Sequence, residues 1–292
     1  LGYQRTSDHN VLMQPGRMPT QLERSGDFSQ STNASGQPIT IVDPTTGLPF
    51  GGNVIPAARI APQASALLAY YPQPNLDGSG RYNFQAPTEV VTRQDSIQSR
   101  LTQGVSNRTQ MFGNFGYQRT TTDTTSIFGF SDATRMSSLD AAVNWSRRFS
   151  PFFSLRLRYQ FNRQATETAP AFAGRVNVSG NAAIAGNNQD PANWGPPSLL
   201  FSSGLTGLTD GQYVFNRSQT HGVSAEGGLS RGRHYFLFGG GLRRNFFDVL
   251  SQQDPRGTFG FNGSATGFDV ADFLLGIPSN SSMAFGNPDK YL

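Results

Sequence analysis

The sequence predicts an all-β fold: an antiparallel transmembrane β-barrel, partial and open over this stretch, with long extracellular loops and one short loop helix. Three observations carry that prediction. From about residue 92 onward, segments alternate apolar and polar residues with a period of two, which gives a strand one apolar and one polar face. Tight turns join these segments at one end, whereas the connections at the other end, residues 20–92 and 164–219, far exceed the usual length of about 4–6 residues. The composition agrees. Of the chain, 36% is hydrophobic and 14% charged, against ~45–50% and ~25% in a soluble domain. The balance is largely 33 Gly and small polar residues, while 23 Phe and 9 Tyr supply the rings that strands favour.

Residues 1–292 read as part of one barrel domain, with a large surface loop at 20–92, strands at 93–163, a long loop at 164–219, and strands with a further loop at 220–292. The chain opens in a strand-like "LGYQRT". In the first loop, "VDPTTGLPFGGNVIPAARIAP" (Val42 to Pro62) holds too many prolines and glycines for a helix or a central strand. It is also too apolar for a disordered linker, so Phe50, Ile55 and Ile60 are expected to pin it. The helix follows at Pro62 to Tyr70, with Pro at its first position and Pro72 and Pro74 beyond its end. Leu67, Leu68 and Tyr71 are placed to pack on the preceding loop.

The strand signal is clearest in "FFSLRLRYQFNR". Phe153, Leu155, Leu157, Tyr159 and Phe161 fall on one face, and Ser154, Arg156, Arg158 and Gln160 on the other. "LDAAVNWS" and "VSAEGGL" alternate in the same way, and "TQMFGNFGYQR" and "RHYFLFGGGLRRNFF" do so more weakly. Turns are expected around Arg148 to Pro151 and around Arg231 and Gly232. The stretch "GNAAIAGNNQDPANWGPP" (Gly180 to Pro197) belongs to the second long loop. In a barrel the apolar face meets lipid and the polar face a wet lumen, and spanning takes ~9–11 residues. A soluble sandwich alternates in the same way. The barrel is favoured by Arg156 and Arg158 on the polar face and by Phe149, Phe152 and Phe153 near strand ends, where an interfacial girdle belongs.

Beyond the pattern, "LERSGDFSQ" (Leu22 to Gln30) and "PITIVDPTTGLPFGGNVIPAARIAPQASALLAYYPQPN" (Pro38 to Asn75) resemble the first large surface loop of TonB-dependent receptors of the Oar-like kind. "GNNQDPANWGPPSLLFSSG", "QDPRGTFGFNG" and "DVADFLLGIPSNSSMAFGN" look like later blocks of the same family, in the same order. The resemblance implies an early to middle part of a large barrel in the outer membrane of a Gram-negative cell. The plug, the N-terminal domain and the TonB box of such a receptor lie outside this stretch. It also implies three kinds of partner: a TonB–ExbB–ExbD energy-transducing complex, outer-membrane lipids, and a nutrient too large for porins.

Other chemistry finds little purchase in the sequence. There is no Cys. The basic residues are almost all Arg, with Lys290 the one lysine, and they are scattered, so no nucleic-acid partner is expected. His9, His221 and His234 lack ligand spacing, and no metal or cofactor is predicted. "GLSRG" around Ser230 has the letters of a nucleophile elbow, but an aromatic strand follows where a helix is required; no catalytic residue is assigned. "DPTTG" at Asp43 and "DPRG" at Asp254 read as turn starts. "FGGGLRR" reads as a place where a strand bends or a neighbouring backbone approaches. The candidate ligand contacts are loop aromatics (Tyr70, Tyr71, Tyr82, Phe84, Trp194) and the lumen-facing Arg156 and Arg158, which alternatively pair with acids on neighbouring strands. A transport receptor is the leading expectation. A surface adhesion or structural protein is the alternative, and an outer-membrane hydrolase a third reading without a nucleophile–base pair to support it.

Overall fold

A computed structural model describes residues 1–33, 35–76, 81–286 and 289–291. Eleven strands form among them: β1 (Gly2–Gly16), β2 (Phe84–Ser106), β3 (Thr109–Thr125), β4 (Ser131–Ser150), β5 (Phe153–Ala169), β6 (Ser198–Phe201), β7 (Val214–Arg231), β8 (His234–Ser251), β9 (Asp254–Phe261), β10 (Asn280–Ala284) and β11 (Asp289–Tyr291). One sheet runs β1-β2-β3-β4-β5-β7-β8-β11, antiparallel throughout and not closed, with β1 and β11 at its edges. The tight turns fall where alternation breaks, between β2 and β3, β4 and β5, and β7 and β8. Gly232 supplies the left-handed φ of 62° that the last of these needs.

Register puts the alternating segments in phase. Leu157 lies opposite Trp145 and Ala225, and Arg158 opposite Asn144 and Ser224. Apolar runs on neighbouring strands therefore share one face, and Asn, Gln, Ser, Thr and Arg share the other. Neither face is covered: Leu242 is 77% exposed, and Leu157, Tyr159, Val223 and Phe238 are exposed too. A continuous apolar face of this size is what a lipid-facing sheet presents, not a soluble one. At the turn end, Phe149 stacks on Phe153 with centroids 5.5 Å apart and meets Trp145 edge-on, as an interfacial girdle requires.

Gly239 and Gly241 sit against the β7 backbone, while a side chain at Gly240 would meet open space. A Cβ on Gly239 would lie 2.5 Å from the Ala225 carbonyl oxygen, and one on Gly241 3.1 Å from that of Val223. Close backbone approach is thus the role Gly239 and Gly241 serve in β8.

The strands run further than expected. β2 starts at Phe84 rather than near residue 93, β5 continues to Ala169, and β7 begins at Val214, so the long connections span 17–83 and 170–213. At 23 residues, β2 has twice the length a bilayer needs. The added lengths, such as "TTTDTT" in β3 and "QATETA" in β5, carry polar residues on both faces. They are β-capable but show no alternation, because water lies on both sides of them.

The hydrophobic core lies beyond the strands. The long connections fold together into a cap at the loop end of the sheet, centred on Met18, Phe28, Ile41, Ile55, Leu208, Val270 and Leu274. It holds α1 (Gln21–Arg24), α2 (Pro62–Leu68), α3 (Val178–Asn181), α4 (Asp269–Leu275) and a small sheet in which β9 pairs with β10 antiparallel and with β6 parallel. α1 starts with a capping box between Thr20 and Glu23. α2 begins at Pro62 as the sequence predicts and ends at Leu68, two residues early. Beyond it, the Arg24 guanidinium donates to the carbonyls of Leu68, Tyr71 and Pro72, satisfying groups that the helix end leaves open.

The Pro/Gly-rich stretch owes its order to Asn53. In the left-handed region at φ 61°, its amide donates to the carbonyls of Phe28 and Ile39 and accepts from the Ile41 N–H at 2.8 Å. Phe50 and Ile55 are buried beside it and Ile60 is half-buried against the same core, as expected of its anchors.

Candidate functional site

The predicted site residues fall into two groups at opposite ends of the sheet. Arg156 and Arg158 lie on the polar face, close to the tight turn that starts β5. Between Arg158 and the loop end of β5 at Ala169 the strand covers roughly 35 Å at its ordinary rise. The structure therefore does not bring the arginines and the loop aromatics into one site.

Two adjoining grooves mark the arginine end. One, of about 520 Å³, is lined by Gln110, Asn114, Asn144, Arg156, Ser224 and Glu226 among others. The second, of about 360 Å³, runs past Gln160, Gly222 and Arg243, and Arg158 borders both. Arg156 pairs with Glu226 at 3.5 Å, but both side chains are more than half exposed, so water screens the pair and it contributes little. Among the described residues neither Arg158 nor Arg243 has an ion-pair partner within 4 Å. The polar wall thus carries net positive charge over a floor kept low by Gly222 and Gly241.

At the loop end the candidates divide. Tyr71 and Phe84 are corrected from ligand contacts to core. Tyr71 is 4% exposed, its hydroxyl accepts the Leu208 N–H at 3.0 Å, and burial pushes its ionisation above the usual tyrosine range. Phe84 is likewise buried in the cap. The sequence shows a tyrosine after a helix but not that Leu208, distant in the chain, closes over it. Tyr70 is half-buried, edge-on to Phe130 and Phe172. Trp194 is half-buried as well, its indole N–H donating to the Gln189 carbonyl at 3.2 Å. Tyr82 alone of the group stands open, 45% exposed with the Arg81 guanidinium over its ring.

The remaining sequence candidates take structural places. Asp43 accepts from the N–H and hydroxyl of Thr45 and a forked contact from Arg59, which hold its carboxyl below the usual range; this is the turn expected. Ser230 lies in β7 opposite Tyr235. His221 meets the Tyr159 hydroxyl, and His9 lies 3.7 Å from Glu89. Among the described residues no cluster of acids and histidines fits a metal.

One cluster at the base of the cap was not foreseen. The Asp210 side chain is 1% exposed, and Arg256 reaches it at 3.2 Å while donating to the carbonyls of Asp210 and Gly211. Burial, then the neighbouring Asp132 carboxyl, push Asp210 up to about 7, against the pull of Arg256. One Asp210 oxygen, Oδ1, finds no donor. A proton on the Asp210 carboxyl removes a buried charge that Arg256 offsets only in part. In the sequence these three residues lie far apart with no motif to join them.

A family model described as "Outer membrane beta barrel domain" matches residues 1–291. No curated protein and no solved structure matches the chain.

Proposed function

We propose a role in energy-coupled uptake from the premise that the chain belongs to the outer membrane beta barrel domain family and is located in the outer membrane. In this reading it forms part of a TonB-dependent receptor of the Oar-like kind, whose cargo is a nutrient too large for porins. The observation that carries the reading is the polar wall. A sheet with lipid on one face and Arg156, Arg158 and Arg243 over a glycine floor on the other lines a wet path, and such a wall attracts anionic groups of a solute. The packed cap stands where an outer mouth belongs, with Tyr82 open to solvent, and offers a firm surface for first contact.

Energy comes, on this proposal, from a TonB–ExbB–ExbD complex acting through the receptor's plug. The test uses the full-length protein in outer-membrane preparations, cross-linked to the purified periplasmic domain of a TonB protein from the same cell. A specific cross-link that disappears when the full-length protein's own N-terminal segment is removed supports transport. Absence of any cross-link, with the protein folded and inserted, rejects it and leaves surface adhesion as the reading.

A further inference from the structure

We propose that the outward face of the sheet binds anionic phosphate headgroups of lipids in the leaflet nearest the cap, through a collar of arginines set along the edge of the apolar surface. Followed from the tight turns towards the loops, the outward residues of each long strand change from apolar to charged. On β1, β3, β4, β5, β7 and β8 the first charged residue past the apolar stretch is Arg5, Arg119, Arg135, Arg163, Arg217 and Arg244. On β2 it is Asp95, which is already held by Arg5 at 3.8 Å and by the Tyr3 hydroxyl at 2.6 Å. The acids Glu89, Asp123 and Glu167 come later, nearer the cap. Charge is thus ordered outward from the apolar edge, with cations first.

The register places these arginines in a band along the apolar edge. Arg119 and Arg217 share one row by way of Ser137 and Ala165, while Arg135 lies one pair nearer the cap, Arg163 one pair nearer the turns and Arg244 two.

Arg5 and Arg217 are engaged by Asp95 and Asp248. Arg119, Arg135 and Arg163, on three adjacent strands, are exposed and have no ion pair or side-chain hydrogen bond among the described residues. Arg135 lies opposite Glu167, whose carboxylate instead accepts from the Tyr213 hydroxyl. Three free guanidiniums beside a lipid-facing surface match lipid phosphate: the alkyl stems lie along the apolar edge while the planar heads fork onto anionic oxygens. This collar faces away from the lumen, so it is separate from the uptake path and does not depend on what that path carries.

The experiment uses the full-length protein in a neutral detergent, with bound lipid counted by native mass spectrometry. Phosphatidylglycerol, phosphatidylcholine and inorganic phosphate are titrated in separate arms. Wild type should retain phosphatidylglycerol. The triple variant Arg119→Gln/Arg135→Gln/Arg163→Gln should lose roughly fivefold in affinity per arginine removed. Phosphatidylcholine and inorganic phosphate should not be retained. Unchanged phosphatidylglycerol binding in the folded triple variant overturns the proposal, as does equal retention of phosphatidylcholine. Saturation by inorganic phosphate in place of lipid overturns it as well. Should the triple variant fail to insert, single Arg119→Gln and Arg163→Gln variants carry the same test, each with the fivefold step.

Discussion

At the scale of single residues, the cap depends on polar side chains that stitch distant segments together. Asn53 ties three of them with one amide, and Asn83 joins the end of β1 to the start of β2 by exchanging hydrogen bonds with both backbone groups of Met18. Asp210 adds a pH term. The fold raises its carboxyl from an ordinary 3.8 to about 7, chiefly by burial. Between those values the folded chain holds a proton that the unfolded chain has released. Folding then takes up a proton, and stability declines as pH rises through 7. Protease resistance of the cap should be greatest near pH 5 and fall by pH 8, and in Asp210→Asn it should be nearly flat over that range. A wild-type cap whose resistance rises from pH 5 to pH 8 would refute the raised, proton-holding carboxyl of Asp210 beside Arg256.

At the scale of elements, alternation was the most legible feature. In "FFSLRLRYQFNR" the period of two names the faces of the side chains, and the pairing of β5 with β4 and β7 agrees from Ser154 to Asn162. The prediction that belongs here is chemical. In the full-length protein in membranes, Cys introduced at Leu155 or Leu157 should react with a water-soluble thiol reagent at least tenfold more slowly than Cys at Arg156 or Arg158. Equal rates at all four would refute the assignment of faces. Strand ends were less legible because "QATETA" and "TTTDTT" meet water on both sides, and nothing in an amphipathic pattern records that. The helix at Pro62 was readable because proline at a first turn is a local signal. Tyr71 was read both as a packing residue and as a ligand contact, and what decides for packing is Leu208, which no local window contains. The phosphate collar was equally hidden: single arginines look scattered along the chain, and only register aligns them.

At the scale of the whole molecule, two surfaces of opposite logic share one chain. The sheet is stabilised by its backbone ladder and by lipid, whereas the cap is a water-facing body with its own core. A cavity in the cap should therefore leave the barrel intact. Phe28 is fully buried, edge-on to Phe268 at 5.7 Å. Truncation in Phe28→Ala should cost the cap about 3–5 kcal/mol. Rapid cleavage of residues 17–83 by added protease, with the strands still protected in the membrane, is the expected result. Simultaneous loss of strand protection would show that the two parts unfold as one.

The composition of that core also sets an order of assembly. Met18, Phe28 and Ile41 come from one excursion of the chain, Leu199 and Leu208 from a second, and Phe268 and Leu274 from a third. Each excursion supplies only part of the shared core, and closing such long loops by chance search is slow. Paired strands remove that search, because register brings the six loop ends to one side before any of the three has folded. The cap is then the last part of the chain to become native. Until it does, Phe28 and Leu274 are bare hydrophobic surface on the far side of the membrane, and a strand-pairing error would be felt there first, as a loop with no neighbours to fold against.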